Sequence, residues 1–139
     1  MTPDYYSMNK ITLVLATSLF VSTSISAFGA NLNNFFNALA KVESSQNPKA
    51  INRKENALGL YQIRPGYFAD SKVSGKHSDT FNPAVARKVC ESYFKRYAPE
   101  AYAKGDFETL ARLHNMGPGY KRNLSATNKY WSKIQKNLK

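Results

Sequence analysis

The sequence predicts a mostly helical α+β fold, a single small domain with one β-hairpin in its N-terminal third. Three observations lead there. The chain has 139 residues, room for one ordinary domain. Its 42% hydrophobic content, with 8 Phe and 9 Tyr, is too apolar and aromatic for a disordered basic tail, so it must bury a core. Apolar residues recur at helical spacing in several segments, while the polar stretch Asn52–Asn56, followed by the compact apolar run Ala57–Ile63, suits a turn and short hairpin.

Taken in order, the first segment is an export signal. No charge occurs from Ile11 to Phe28, and Lys10 stands just before the stretch. Its most apolar part, Ile11–Val21, is too short to cross a bilayer core comfortably, so a cleaved signal is expected over residues 1–29. Ala27-Phe28-Gly29 fits the small-x-small cleavage rule and leaves residues 30–139 as the mature domain. Asp4 is out of character for such a signal, and a start at Met8 reads more cleanly. The signal holds one Lys and one Asp, so the net charge of +11 belongs wholly to the exported domain, whose expected place is the periplasm or the exterior.

Leu32, Phe35, Phe36, Leu39 and Glu43 share one face of a helix over Leu32–Ser44. That puts a carboxyl on the apolar face at the helix C-terminus, where burial and the negative end of the helix dipole both raise its pKa. Asn47-Pro48 stops this helix. Pro65 opens a short one, and Ser71–Thr80 reads as a polar loop. A stronger helix spans Pro83–Tyr97 with Asn82 as its N-cap and Val85, Val89, Tyr93 and Tyr97 four apart. Cys90 lies beside that stripe as a buried, unreactive thiol. Asp106 caps a helix carrying Phe107, Leu110, Ala111 and His114, which ends at Asn115-Met116-Gly117-Pro118-Gly119. The final helix, Ser125–Leu138, places Thr127, Tyr130, Trp131, Ile134 and Leu138 on one face.

Three blocks then stand out in order: Glu43-Ser44-Ser45-Gln46-Asn47-Pro48, Gly59-Leu60-Tyr61-Gln62-Ile63, and Asn115-Met116-Gly117-Pro118-Gly119. The series resembles the lytic transglycosylases of the SLT type, and with them a lysozyme-like single domain. His114-Asn115-x-Gly117-Pro118 followed by Tyr130-Trp131 is also similar to the invertebrate-type lysozymes, although those are densely disulfide-bonded and this chain has one cysteine. The single cysteine favours a bacterial or phage-derived enzyme of the transglycosylase kind.

The resemblance implies a muramidase cutting the MurNAc-β-1,4-GlcNAc bond of peptidoglycan strands. Glu43 is then the general acid, which must hold its proton near neutral pH. It further implies a lytic transglycosylase that forms 1,6-anhydro ends without a second carboxylate. Glu55, twelve residues on, is the candidate second carboxylate of a hydrolytic alternative. As substrate-binding residues the resemblance implies Gln62 and Asn115. Tyr61 could stack on a sugar or merely pack, Ser44 could orient the acid, and His114 stands where transglycosylases often have Tyr. Gly117 and Gly119 are expected at unusual backbone angles.

No metal or organic cofactor is implied. One cysteine and two histidines exclude a cysteine-based zinc site and leave little for a histidine one. Scattered basic residues with no recognition motif argue against nucleic acid. The charge suits an acidic wall polymer and keeps open a non-enzymatic cationic wall-binding or antimicrobial protein. A secretion, conjugation or phage machine is a conceivable setting; neither the setting nor the oligomeric state is written in the residues.

Overall fold

The structure is a computed structural model that describes residues 28, 29 and 31–139. Residues 1–27 of the expected export signal lie outside the described residues. Among those described, no helix is long and apolar enough to cross a membrane.

Helix α1, residues 31–44, supplies the centre of the core: Phe35, Phe36, Ala38, Leu39 and Ala40 are all buried. Phe35 stacks on Phe107 with centroids 4.9 Å apart, and Phe36 meets Tyr61 edge-on at 5.3 Å. A two-stranded antiparallel hairpin follows, β1 Ile51–Asn52 and β2 Ala57–Leu58, with Ile51 opposite Leu58 and Asn52 opposite Ala57. The expected turn lies between them, shaped by the Asn52 side chain, whose Oδ1 accepts from the amides of Lys54 (3.1 Å) and Glu55 (3.4 Å). Gly59 follows with φ +75°, and a Cβ there would come within 2.4 Å of the Thr80 carbonyl oxygen. Only glycine allows the hairpin to close against the segment before the long helix.

Helix α2, Pro65–Ser71, begins with its proline as expected. The expected Ser71–Thr80 loop instead ends in a 3₁₀ turn, His77–Phe81, closed by the Asp79 carboxylate accepting from the Lys76 amide at 2.7 Å. Helix α3, Pro83–Tyr97, has the predicted bounds because its start is encoded locally: Asn82 Oδ1 accepts from the amides of Ala84 and Val85. Its inner face holds Ala86, Val89, Cys90, Tyr93 and Phe94, and burial pushes the Cys90 thiol well above its ordinary range.

Helix α4, Pro99–Lys104, has no counterpart among the expected elements; none of its residues is buried, so no apolar stripe announces it. Asp106 caps α5, Phe107–Met116, as expected, by accepting from the Thr109 amide. Gly117 then takes φ +79°, while Gly119 does not share the positive φ expected of it. The last helix begins later than predicted. Pro118–Thr127 is 3₁₀ and kinked at Asn123, and only Asn128–Asn137 is α-helical, here α6.

Candidate active site

Glu43 sits in the last turn of α1, and the chain around it explains why it stays there. The helix stops because Ser45 (φ 52°) and Gln46 (φ 64°) both turn left-handed, their amides still bonding the Lys41 and Ala40 carbonyls. Two non-glycine residues in that region cost energy, and Ser44 offsets it. Its hydroxyl contacts the Ala40 carbonyl (3.1 Å) and the Leu60 carbonyl (2.8 Å), and accepts from the Asn47 amide (3.1 Å). Asn47 Oδ1 in turn accepts from the Lys49 amide at 2.9 Å. The first sequence block is thus a clamp between the end of α1 and the hairpin.

The second block is a clamp within the hairpin. Gln62 is held at φ 50°, and its Nε2 donates to the carbonyls of Gly59 (3.0 Å) and Ala50 (3.3 Å). Leu58 and Ile63 pair across it. The third block joins the other two through Arg64, whose Nη2 donates to the Asn115 carbonyl at 2.9 Å, 51 residues away.

These segments enclose a polar depression of about 170 Å³ lined by Glu43, Asn52, Glu55, Gln62, Arg64, His114 and Asn115. Larger hollows lie elsewhere, one of about 520 Å³ among Tyr97, Pro99, Lys104 and Tyr120, but they lack this grouping of acid, base and amide side chains. Among the described residues no cluster of His, Cys, Asp and Glu could hold a metal ion.

The Glu43 side chain is 18% exposed, and burial raises its pKa from 4.5 to about 7. A hydrogen bond from the Tyr130 hydroxyl to Oε1, at 2.5 Å, opposes that rise, as does the positive charge of Arg64, while Glu55 adds to it. His114 Nε2 lies 3.6 Å from the same oxygen. This is no ion pair at neutral pH, because burial lowers the His114 pKa to about 4. The tautomer follows from the partners: Nε2 faces the Tyr61 carbonyl at 2.9 Å and must donate, so Nδ1 accepts from the Tyr67 hydroxyl at 3.0 Å. Tyr67 is itself stacked on Tyr93 at 3.7 Å. A neutral, immobile imidazole therefore backs a carboxyl that is largely protonated below pH 7.

Of the residues singled out from sequence, Glu43, Glu55, Gln62, His114 and Asn115 line the depression, and Ser44 and Tyr61 do not. Ser44 does not meet the acid it could have oriented, and Tyr61 takes the packing alternative. Ser44 spends its hydroxyl on backbone carbonyls and touches no carboxyl oxygen, so it fixes the helix end. The Tyr61 ring is 5% exposed and packs on Phe36, so it cannot stack on a ligand; only its carbonyl serves the site, through His114. Glu55 is exposed on the hairpin turn, as its neighbours suggested. Asn52, Arg64 and Tyr130 were missed as site residues. Arg64 had a signal, a charge between Ile63 and Pro65 directly after the second block, whereas Tyr130 lies 87 residues from Glu43 and looked only like part of an apolar face.

A mostly helical domain whose first helix presents one buried carboxyl beside a small hairpin has the lysozyme-like fold. A chain of the crystal structure of Aeromonas hydrophila PliI in complex with Meretrix lusoria lysozyme superposes on it with a TM-score of 0.61 and 28% identity, covering 74% of this chain and 87% of that one. Residues 25–137 match the Transglycosylase SLT domain, and the chain belongs to that family. Lysozyme 1 of Crassostrea virginica is 31% identical over 101 residues, 70% of this chain and 54% of the oyster protein. An invertebrate-type lysozyme of Ruditapes philippinarum is 33% identical over 82 residues, covering 58% and 60% of the two chains. The chain thus spans little more than half the length of these relatives.

Proposed function

We propose that the protein is an exported muramidase, periplasmic or secreted, that cleaves the MurNAc-β-1,4-GlcNAc bond of peptidoglycan with Glu43 as general acid. The observation that carries this is the Glu43 carboxyl, raised to about 7 by burial yet open to a polar depression. Breaking a glycosidic bond requires a proton on the departing oxygen, and a carboxyl so placed still holds one at neutral pH. Lysozymes are the standard example of such tuning, and relatives of this chain bear that name. The net charge of +11 would draw the domain to an acidic wall.

In this reading the Glu43 proton passes to the leaving oxygen as the bond to the anomeric carbon breaks and an oxocarbenium-like centre develops. Glu55 lines the same depression and acts electrostatically on Glu43, which favours hydrolysis: water adds at the anomeric carbon and returns a proton to Glu43. Membership of the SLT family favours a second outcome, in which the 6-hydroxyl of the same muramic residue attacks and Glu43 accepts its proton, leaving a 1,6-anhydro end.

Mass spectrometry of fragments released from purified wall separates the two, reducing ends indicating hydrolysis and 1,6-anhydro ends the lyase. The variant Glu43→Gln is expected to lower kcat by a factor of about 10²–10⁴ with unchanged circular dichroism. Full activity in that variant would remove Glu43 from its role, and wall binding or killing that survived it would favour a non-enzymatic cationic protein.

A further inference from the structure

Arg64 is the one basic side chain with a permanent charge among the residues lining the depression, and its charge acts on Glu43 without forming an ion pair. It is half-buried, and the following proline holds its backbone extended at ψ 158°. A single Nη2 bond to the Asn115 carbonyl anchors the head group. Among the described residues it forms no ion pair, although two glutamates line the same hollow. A guanidinium has five N–H donors in a planar fork, and one such bond fixes its orientation while leaving the rest of the fork available. Such a fork matches a carboxylate, which can take two parallel hydrogen bonds.

We propose that Arg64 is a specificity residue that receives the lactyl carboxylate of a muramyl sugar carrying no stem peptide. This rests on the muramidase reading, since the lactyl ether is what distinguishes a muramyl sugar from its neighbours along the strand. When a stem peptide is attached the lactyl group ends in a neutral amide, which offers a carbonyl but no charge. Charge selects the free acid over that amide. The guanidinium is in no ion pair with either glutamate of the hollow, and bonds between two charged partners are roughly twice as strong as neutral ones. The substrate would then be glycan from which peptides have been removed, so the reaction that supplies it is hydrolysis of the amide between the lactyl group and the first amino acid.

The test is a binding measurement, so that it does not depend on turnover. A tetrasaccharide of alternating N-acetylglucosamine and N-acetylmuramic acid is prepared with its lactyl carboxylates free, and again with them capped as neutral methylamides. Calorimetric titration is done in the Glu43→Gln protein, which does not cut the sugar during the measurement, and is expected to show about tenfold tighter binding of the free acid. When Arg64→Gln is added the ratio of the two affinities should fall to about one, and with Arg64→Lys, which keeps the charge but loses the fork, it should lie between. A ratio taken within one variant is insensitive to partial unfolding. Equal affinity of Glu43→Gln for both sugars, or an unchanged ratio when Arg64→Gln is added, would overturn the proposal. Discrimination between the sugars without any wall cleavage by the wild type would instead keep Arg64 as an anion site and sink the muramidase reading.

Discussion

His114 and Arg112 stand two residues apart on α5, both buried, and they meet burial in opposite ways. On the side facing the depression, neither member of the close pair is charged near pH 6: burial holds the Glu43 proton on and keeps the His114 proton off. On the other side the Arg112 guanidinium is saturated with acceptors. Nε and Nη2 donate to Glu108 Oε1 at 3.0 and 2.6 Å. Nη1 meets the Leu124 carbonyl, Thr127 Oγ1 and Asn128 Oδ1 at 3.0, 2.7 and 2.9 Å. A buried imidazole can shed its proton whereas a guanidinium cannot, so the buried Arg112 must be met by acceptors on every side. The two regions are also linked. Arg112 fastens the start of α6, and Tyr130, the hydrogen-bond donor to Glu43, follows Asn128 by two residues.

The uncharged pair gives the largest effect, and its sign can be worked out. Glu43 has a folded pKa of about 7 against an ordinary 4.5, so its contribution to stability is complete below pH 4.5 and is lost as pH climbs to 7. His114 runs the other way, from an ordinary 6.5 to about 4, its contribution complete above pH 6.5 and lost as pH falls toward 4. Each slope is about 1.4 kcal/mol per pH unit, so the two nearly cancel between them. Glu43→Gln removes one. Denaturant unfolding of that variant should show stability relative to wild type growing from about zero near pH 4 to about 3 kcal/mol at pH 8. A difference that stays level with pH would mean that Glu43 titrates normally in the folded protein.

The saturated charge comes next. Arg112→Met should cost about 2 kcal/mol, because it strips the acceptors at the start of α6 of their donor, and the loss should be read as a lower Tm. Activity should fall further than in an equally destabilised surface variant, since Tyr130 rides on the same helix; a fall no greater than in that control would break the link between the two regions. The smallest change is expected from Tyr130→Phe. Removing a bond that stabilises the ionised carboxylate raises the Glu43 pKa further, so the alkaline limb of the kcat/KM profile should move to higher pH. A shift in the opposite direction would show that Tyr130 serves the carboxylic acid and not its anion.

Much of this was legible locally. The bounds of α3 follow from Asn82 and Pro83, α5 from Asp106, and the hairpin from the polar stretch before Ala57. Helical periodicity alone sets the Glu43 carboxyl on the face of Phe35, Phe36 and Leu39, and the motif around it is what suggested the acid. The readings that failed concern direction and distance. Nothing within a few residues of Tyr61 says that its ring turns inward to Phe36 while Gln62 faces the depression, because the left-handed Gln62 breaks any regular alternation.

The sequence by itself thus determined most of the helices, the hairpin and their order, and set Glu43 on the apolar face of the first helix, since capping, proline placement and periodicity act over spans of a few residues. Only the tertiary structure decided what Glu43 meets. Tyr130, His114 and Arg64 arrive from three separate segments, and their effect on one carboxyl depends on separations of a few ångströms and on how much water remains, quantities that exist only once the chain has closed on itself.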